Sequence, residues 1–512
     1  MALAPTDFPQ ELIDLIADEL HDNSGTLKNL SLAFRRCTRR AQKHLYTNVR
    51  IDHPRRRDQN GDTPLEKLVE VLTTRPDLAC HIRTLHIGNY AEVLLDSNIE
   101  KRQHTPNTDK VLPLLFQRLH KLQSFTLHVG DDNDMEFGLG DPERLSLPFI
   151  TAFITMLRST QVEELNLHMV QEFPVALLSH CPDIKRLDLS YCMNSLYRDQ
   201  VADTVSAQLA LPASDRTGYL ERLNIEGFSF EALTALHATT KLPNARLTFS
   251  RLREIAITGS YALMFAFVND LVTEVEDSLE QLSWEWNIYA SYPNKNEFQP
   301  GRQYFTLPSK LRSLRLSFMH AYDCQPSHLD WFCSGIRKIA GSNKLEEVIL
   351  VLTEENGFHR ENANTSWIWG NCARQLSSID FLLGGSGYMH LRRFAIFIEL
   401  TSFYEHDADE WVPISYIKKV TSQLEDMLPL LLEQGVLSVQ WLITEKRQLA
   451  LGIAIKALEE EVMGGVHVGM DGHFKIGREY NEKYVRYEEE IDCDADDDDS
   501  SASGGSWRDD SS

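Results

Sequence analysis

Residues 181–194 read CPDIKRLDLSYCMN, and three of their apolar side chains, Ile184, Leu187 and Leu189, follow a fixed spacing. Two residues separate Ile184 from Leu187, and one residue separates Leu187 from Leu189. The two leucines alternate with polar neighbours, which is the pattern of a β-strand with one buried face. The stretch therefore predicts a short strand that is entered from a turn at Ile184.

The same apolar spacing recurs along most of the chain, so the predicted strand belongs to a repeat. The triplets are Ile82-Leu85-Ile87, Leu122-Phe125-Leu127, Val162-Leu165-Leu167, Ile184-Leu187-Leu189, Leu220-Leu223-Ile225, Leu252-Ile255-Ile257, Leu279-Leu282-Trp284, Leu311-Leu314-Leu316, Leu345-Val348-Leu350, Leu391-Phe394-Ile396 and Val436-Val439-Trp441. Helix-like stretches lie between them, over residues 147–158, 173–180, 230–238, 262–275, 328–340 and 414–432. A strand and helix that bury no face alone form a core by stacking, so residues 65–463 are predicted to be an α/β solenoid. An irregular α/β domain is the alternative.

The first 50 residues differ from the repeats. PQELIDLIADEL (residues 9–20) places Leu12, Leu15, Ile16 and Leu20 on one helical face. A second apolar set and a basic helix over 35–44 follow, so residues 1–50 are predicted to form three short helices. The basic run is expected to be a solvated face or to pair with the acidic first helix.

This N-terminal segment resembles an F-box. The resemblance is carried by Phe8-Pro9, Glu11-Leu12, Ile16, Leu20, Leu27, Leu30, Leu32, Phe34 and Arg36, while Ala33 and Cys37 depart from the family pattern. It implies docking on the Skp adaptor of a cullin ubiquitin ligase, through Phe8, Pro9, Leu12, Ile16, Leu20, Leu27 and Leu30. Cys181, Leu187, Leu189 and Cys192 are similar to the cysteine-containing leucine-rich repeats that follow F-boxes. The layout as a whole looks like the large F-box families of filamentous fungi.

The resemblance implies an adaptor that recruits a protein target to the ligase through its repeats. Aromatic residues are frequent at binding hot spots, so the aromatic-rich stretches at 284–292 and 365–371 are candidate target contacts. The candidates are Trp284, Trp286, Tyr289, Trp367 and Trp369. Burial under the neighbouring repeat is an equally good interpretation. The alternative function is a repeat scaffold whose N-terminal helices only cap the solenoid, and a hydrolase comes third.

The ends of the repeat region have their own patterns. Residues 51–64 are polar and predict a linker. Residues 464–487 contain alternating apolar residues around Asp471-Gly472, which predicts a β-hairpin that caps the last repeat. Residues 488–512 hold eleven acidic residues against Arg508, which predicts a disordered acidic tail.

The composition and the absence of known motifs argue against several classes of function. The chain has 512 residues and a formal net charge of −24, which disfavours nucleic-acid binding. Apolar runs are too short for a membrane helix, and Asp7 and Glu11 stand where a signal peptide needs basic and apolar residues. The eight cysteines show no zinc spacing, and no nucleotide-binding or hydrolase motif occurs. We expect no enzyme activity, cofactor or metal, a cytoplasmic and/or nuclear location, and a monomer outside the ligase complex.

Overall fold

A computed structural model of the chain gives the fold. It describes residues 9–52, 62–88, 108–129, 147–170, 173–192, 216–259, 262–286, 307–318, 326–355, 366–401, 414–443, 466–468 and 473–476. By their internal contacts the residues divide into two compact units, Met1–Val439 and Gln440–Ser512.

The first unit is a mixed α/β structure built on one parallel sheet. Its strands are β1 (Asn48–Ile51), β2 (Thr84–Ile87), β3 (Ser124–His128), β4 (Glu164–His168), β5 (Arg186–Ser190), β7 (Arg222–Glu226), β9 (Glu254–Thr258), β10 (Gln281–Trp286), β11 (Ser313–Phe318), β12 (Glu347–Glu355) and β13 (Arg393–Thr401), and β14 (Leu437–Ile443) begins in this unit and ends in the second. They lie side by side in chain order, and two short strands, β6 (Gly218–Tyr219) and β8 (Leu247–Thr248), pair separately. The sheet is not closed into a barrel.

The predicted strands are confirmed, and their apolar triplets share one register. Leu187 of β5 lies opposite Leu165 of β4 and Leu223 of β7, so corresponding positions of successive triplets are neighbours. From β2 to β12 every triplet residue is buried, with at most 2 % of its surface exposed. Strictly sequential parallel order requires each connection to cross on the same side of the sheet, because such crossovers are right-handed. One face of the sheet therefore carries a continuous apolar core.

Helices cover that core on the crossover side. They are Pro64–Thr74, Pro76–Ala79, Thr108–Phe116, Leu147–Ser159, Phe230–Thr240, Ala262–Glu274, Pro326–Ile339, Ser366–Leu383, Ile414–Met427 and Pro429–Glu433. Three-ten turns occupy Val175–His180, Gly227–Ser229 and Ser386–Tyr388. The first of these stands where a helix over 173–180 was predicted, and the helix predicted over 414–432 is interrupted at Leu428, before Pro429. Proline removes a backbone donor, so it ends the first helix and begins the second.

The N-terminal helices are α1 (Gln10–Glu19), α2 (Ser24–Ala33) and α3 (Thr38–Thr47). Helix α3 leads directly into β1, which pairs in parallel with β2. The Thr47 carbonyl accepts a hydrogen bond of 2.9 Å from the Arg83 amide, so the sheet begins where the helices end. Ile51, the first residue of the predicted linker, is the buried last residue of β1.

The second unit contains the predicted hairpin. Strand β15 (Val466–Val468) pairs antiparallel with β16 (His473–Ile476), and Phe474 of β16 lies opposite Trp441. The tight turn between them and the acidic tail at 488–512 lie outside the described residues.

Candidate partner-binding site

The three N-terminal helices form a small core. Helix α1 contributes Ile13 and Ala17, α2 contributes Leu27, and α3 contributes Ala41, with Cys37 at its start; each of these is buried. Asn23 begins α2 by accepting a hydrogen bond of 2.9 Å from the Thr26 amide to its side chain. Most of the core side chains are small, which lets short helices pack closely.

The apolar face that the sequence predicts for α1 points away from this core. Leu12, Leu15 and Ile16 are 46 %, 54 % and 47 % exposed, although they lie on one side of the helix. Helix α1 therefore has two apolar sides. Ile13 and Ala17 are buried on the side of α1 that packs against α3, whereas Leu12, Leu15 and Ile16 are left open to a partner.

A second group of exposed apolar residues lies at the end of α2. Leu32 is 85 % exposed and Phe34, the C-terminal cap of α2, is 44 % exposed. The Gln10 side-chain amide donates to the Arg36 carbonyl at 3.2 Å, which holds the α2–α3 connection against the first turn of α1. Phe34 is two residues from this contact, so it and Leu12 belong to the same end of the head.

An ion-pair cluster sets the orientation of α1. The Asp18 carboxylate accepts a hydrogen bond of 2.6 Å from Arg40 Nη2 and one of 2.7 Å from His44 Nε2, both on α3. The hydrogen bond from Arg40, followed by that from His44, holds the pKa of Asp18 well below its usual range. The predicted pairing of the basic run with the acidic first helix is confirmed at Arg40. Because these bonds fix the inner side of α1, its Leu12 side faces outward.

The predicted docking residues differ in their exposure. Pro9, Leu12 and Ile16 are exposed, Leu20 and Leu30 are half-buried, and Phe8 lies outside the described residues. Leu27 is only 1 % exposed, so no partner can contact it, and we assign it to the core instead. The prediction omitted Leu15 and Phe34 from the docking set. The three-residue spacing of Leu12 and Leu15 was the signal that places Leu15 on the same face.

Among the five predicted target contacts, the structure describes the side chain of Trp284 alone. Trp284 is 2 % exposed, and its ring packs edge-on against Trp331 with the ring centroids 5.9 Å apart. Its position in β10 alternates with Ser283 and points it into the core, so it cannot contact a target. Trp286 ends β10, and Trp367 and Trp369 begin the helix Ser366–Leu383 instead of a loop insertion. Tyr289 lies outside the described residues.

The buried cysteines have no features of a reactive site. Burial raises the pKa of Cys181 and of Cys192 to about 12, and the Cys192 thiol donates to the Leu167 carbonyl at 3.2 Å. Within the described part of the chain, no group of three or more His, Cys, Asp or Glu residues is arranged to hold a metal ion. Nor does any described helix have the length and apolar character to cross a bilayer.

Comparison with known proteins adds no further constraint on the site. No protein-family model matches the chain, and no curated protein matches it either.

Proposed function

We propose that the chain is a substrate adaptor of a Skp–cullin–F-box ubiquitin ligase, with α1–α3 as the F-box and the strand–helix repeats as a degenerate leucine-rich-repeat solenoid. The observation that carries the proposal is the outward apolar face of α1, formed by Leu12, Leu15 and Ile16. In this role the chain supplies binding surfaces, and other ligase subunits carry out ubiquitin transfer.

The energetics of this face favour a protein partner. Full burial of a leucine or isoleucine side chain is worth about 1.5–3 kcal/mol relative to full exposure. Each of the three residues still has roughly half of its side-chain surface open to solvent, so burying them together with Phe34 offers several kcal/mol before the costs of association. Clustered exposed apolar residues of this size commonly mark a protein interface.

The repeat region supports the second half of the proposal. Its strands are parallel and sequential, and buried apolar turn residues such as Ile184 and Leu220 precede them, which supports the assignment of leucine-rich repeats. Stacked repeats present an extended edge for a protein target, held at a fixed distance from the head because α3 runs into β1.

One observation favours the alternative, in which the head only caps the solenoid. Helix α3 contacts both β1 and the helix Pro76–Ala79, so the head shields the first edge of the sheet. This contact uses α3, whereas the exposed face belongs to α1 and the end of α2. A capping role therefore leaves the apolar face of α1 unexplained, and the two roles are compatible.

Co-expression with a Skp adaptor tests the proposal. The wild-type full-length chain is expected to co-elute with the adaptor in size-exclusion chromatography, and the Leu12→Asp, Ile16→Asp double variant is expected to elute alone. Leu114→Asp is the matched control, because Leu114 lies on a helix of the repeat region with 47 % exposure, the same as Ile16. Absence of co-elution for the wild type, or equal behaviour of the double variant, contradicts the ligase role.

A further inference from the structure

A cleft of about 540 Å³ lies on one edge of the repeat region, at the turns that precede β9 to β13. Five of its lining side chains are basic: Arg251, Arg253, Lys310, Arg312 and Lys344. Three carboxylates, Asp277, Glu280 and Glu346, share the lining, and His390 stands at its end. The lining of the cleft therefore has a net positive charge, although the net charge of the whole chain is −24.

Two ion pairs and one cation–π contact engage three of the five basic side chains, which leaves two cations available to bind a ligand. Arg312 pairs with Glu346 at 2.6 Å, and Lys310 pairs with Asp277 at 3.0 Å. The Arg251 guanidinium lies over the Tyr219 ring, 4.0 Å from its centroid. Arg253 and Lys344 are both exposed, and neither side chain has a hydrogen-bond or ion-pair partner among the residues that the structure describes. They are the groups that an incoming anion can reach without breaking an existing pair.

The repeat geometry sets the spacing of the two turns that carry these side chains. Arg253 directly precedes β9 and Lys344 lies three residues before β12, and β10 and β11 stand between these strands. Neighbouring strands are about 4.8 Å apart, so the two turns are separated by about 14 Å. An extended peptide covers about 3.3 Å per residue, so it spans this separation in about four residues.

The lining selects a peptide over a nucleic acid. Carboxylates alternate with the cations, since Glu280 stands between Arg253 and Arg312 in successive turns. The phosphates of a nucleic acid are closely and regularly spaced, so some of them would lie next to these carboxylates and be repelled. A peptide can instead carry negative groups only at the positions opposite Arg253 and Lys344. The lining residues also include no phenylalanine, tyrosine or tryptophan on which successive bases could stack.

We propose that this cleft binds an extended segment of a protein target that carries two negative groups, phosphoserines above all, about four residues apart. Arg253 binds one group, Lys344 binds the other, and His390 lies at the end of the site. The assignment deepens the proposed function by naming the chemistry of the target. It rests on the proposed function in one respect, namely that the bound peptide belongs to a target of the ligase.

Fluorescence anisotropy with the full-length chain tests the cleft. The probe is a labelled glycine–serine peptide with two phosphoserines four positions apart, compared with its unphosphorylated form and with an oligodeoxythymidine of equal charge. The phosphopeptide is expected to bind best, and Lys344→Glu and Arg253→Glu are each expected to weaken its binding by about tenfold or more. Lys344→Gln, which removes the charge without reversing it, should fall between these variants and the wild type.

Lys121→Glu is the matched control, because Lys121 precedes Leu122 just as Lys344 precedes Leu345, in a repeat outside the cleft. An equal loss of affinity in Lys121→Glu overturns the assignment, as does equal binding of the unphosphorylated peptide or tighter binding of the oligonucleotide. All cleft variants are expected to co-elute with the Skp adaptor as the wild type does. Failure of peptide binding with co-elution retained overturns the cleft alone, and loss of co-elution in the wild type overturns the ligase role.

Discussion

Asp18 on α1 and Arg40 on α3 form a two-bond ion pair, in which Arg40 Nη2 donates to Asp18 Oδ2 at 2.6 Å and Arg40 Nε donates to Oδ1. His44, one turn further along α3, donates to the same carboxylate from Nε2 at 2.7 Å. A two-bond arginine–carboxylate contact restricts rotation more than a single bond does. It thereby holds the Leu12 side of α1 toward solvent.

Replacing Asp18 with asparagine is expected to destabilise the head in a pH-dependent way. The pKa of Asp18 is lowered in the folded chain, chiefly by the hydrogen bond from Arg40, below an unfolded value of about 3.9. Its stabilising contribution is therefore complete above that value and is lost as the pH falls toward the folded pKa. The difference in unfolding free energy between wild type and Asp18→Asn should thus be largest near neutral pH and shrink below about pH 4.

Urea unfolding monitored across this range measures the difference. Glu19→Gln is the control, since Glu19 is exposed at the end of the same helix and has no partner among the described residues. A pH-independent difference for Asp18→Asn, or an equal effect of Glu19→Gln, contradicts the ion-pair account.

Two leucines of α2 are expected to differ sharply in their effect on stability. Leu27 is 1 % exposed and Leu32 is 85 % exposed. Leu27→Ala should cost about 2–5 kcal/mol in unfolding free energy because it opens a cavity. Leu32→Ala should change it by no more than about 0.5 kcal/mol. Denaturant titration of the two variants decides whether Leu27 belongs to the core, and a near-neutral Leu27→Ala would return it to the docking set.

Trp284 is expected to behave as a core residue and not as a target contact. Its ring packs against Trp331, so Trp284→Ala should destabilise the chain by about 3–5 kcal/mol. In a double-mutant cycle with Trp331→Ala, the two rings should show a coupling of about 0.5–1.5 kcal/mol. Thermal and urea unfolding supply the values. Unchanged stability in Trp284→Ala, or additivity in the cycle, is incompatible with the observed packing.

The cysteines are expected to differ in their reactivity toward a thiol reagent. Burial raises the pKa of Cys181, Cys192 and Cys333 to about 12, which leaves almost no thiolate at neutral pH. Cys80 is half-buried and should be alkylated first among these four. Brief native labelling followed by peptide mass spectrometry measures each site, and rapid labelling of Cys181 or Cys192 contradicts their burial.

The repeats could be predicted from the sequence because each strand repeats one simple physical requirement. Residues such as Leu187 and Leu189 alternate with polar neighbours and so bury one face, and most of the predicted strands follow this pattern. Strands β12 and β13 depart from it, because Val351, Ala395 and Phe397 on their other face are also apolar and buried. The helix Ser366–Leu383 was missed, although Leu376, Ile379 and Leu383 have helical spacing and Gly384-Gly385 ends the pattern.

The candidate site was harder to predict, because periodicity identifies apolar faces without saying what covers them. The spacing of Leu12, Leu15 and Ile16 predicts an apolar face, but Ile13 and Ala17 on another side of α1 fill the core of the head. Only the packing of α3 against α1 distinguishes the two sides. For Trp284 the sequence predicted an exposed binding residue, but its side chain is buried in the core.

The most direct test of the central claim is the affinity of the purified full-length chain for a Skp adaptor, measured by isothermal titration calorimetry. The account predicts a one-to-one complex with a negative heat-capacity change, since an apolar face becomes buried. It also predicts that Leu12→Asp with Ile16→Asp raises the Kd by about 100-fold or more, while Leu114→Asp leaves it unchanged. No binding by the wild type, or the same Kd for all three proteins, would contradict the assignment of α1–α3 as an F-box.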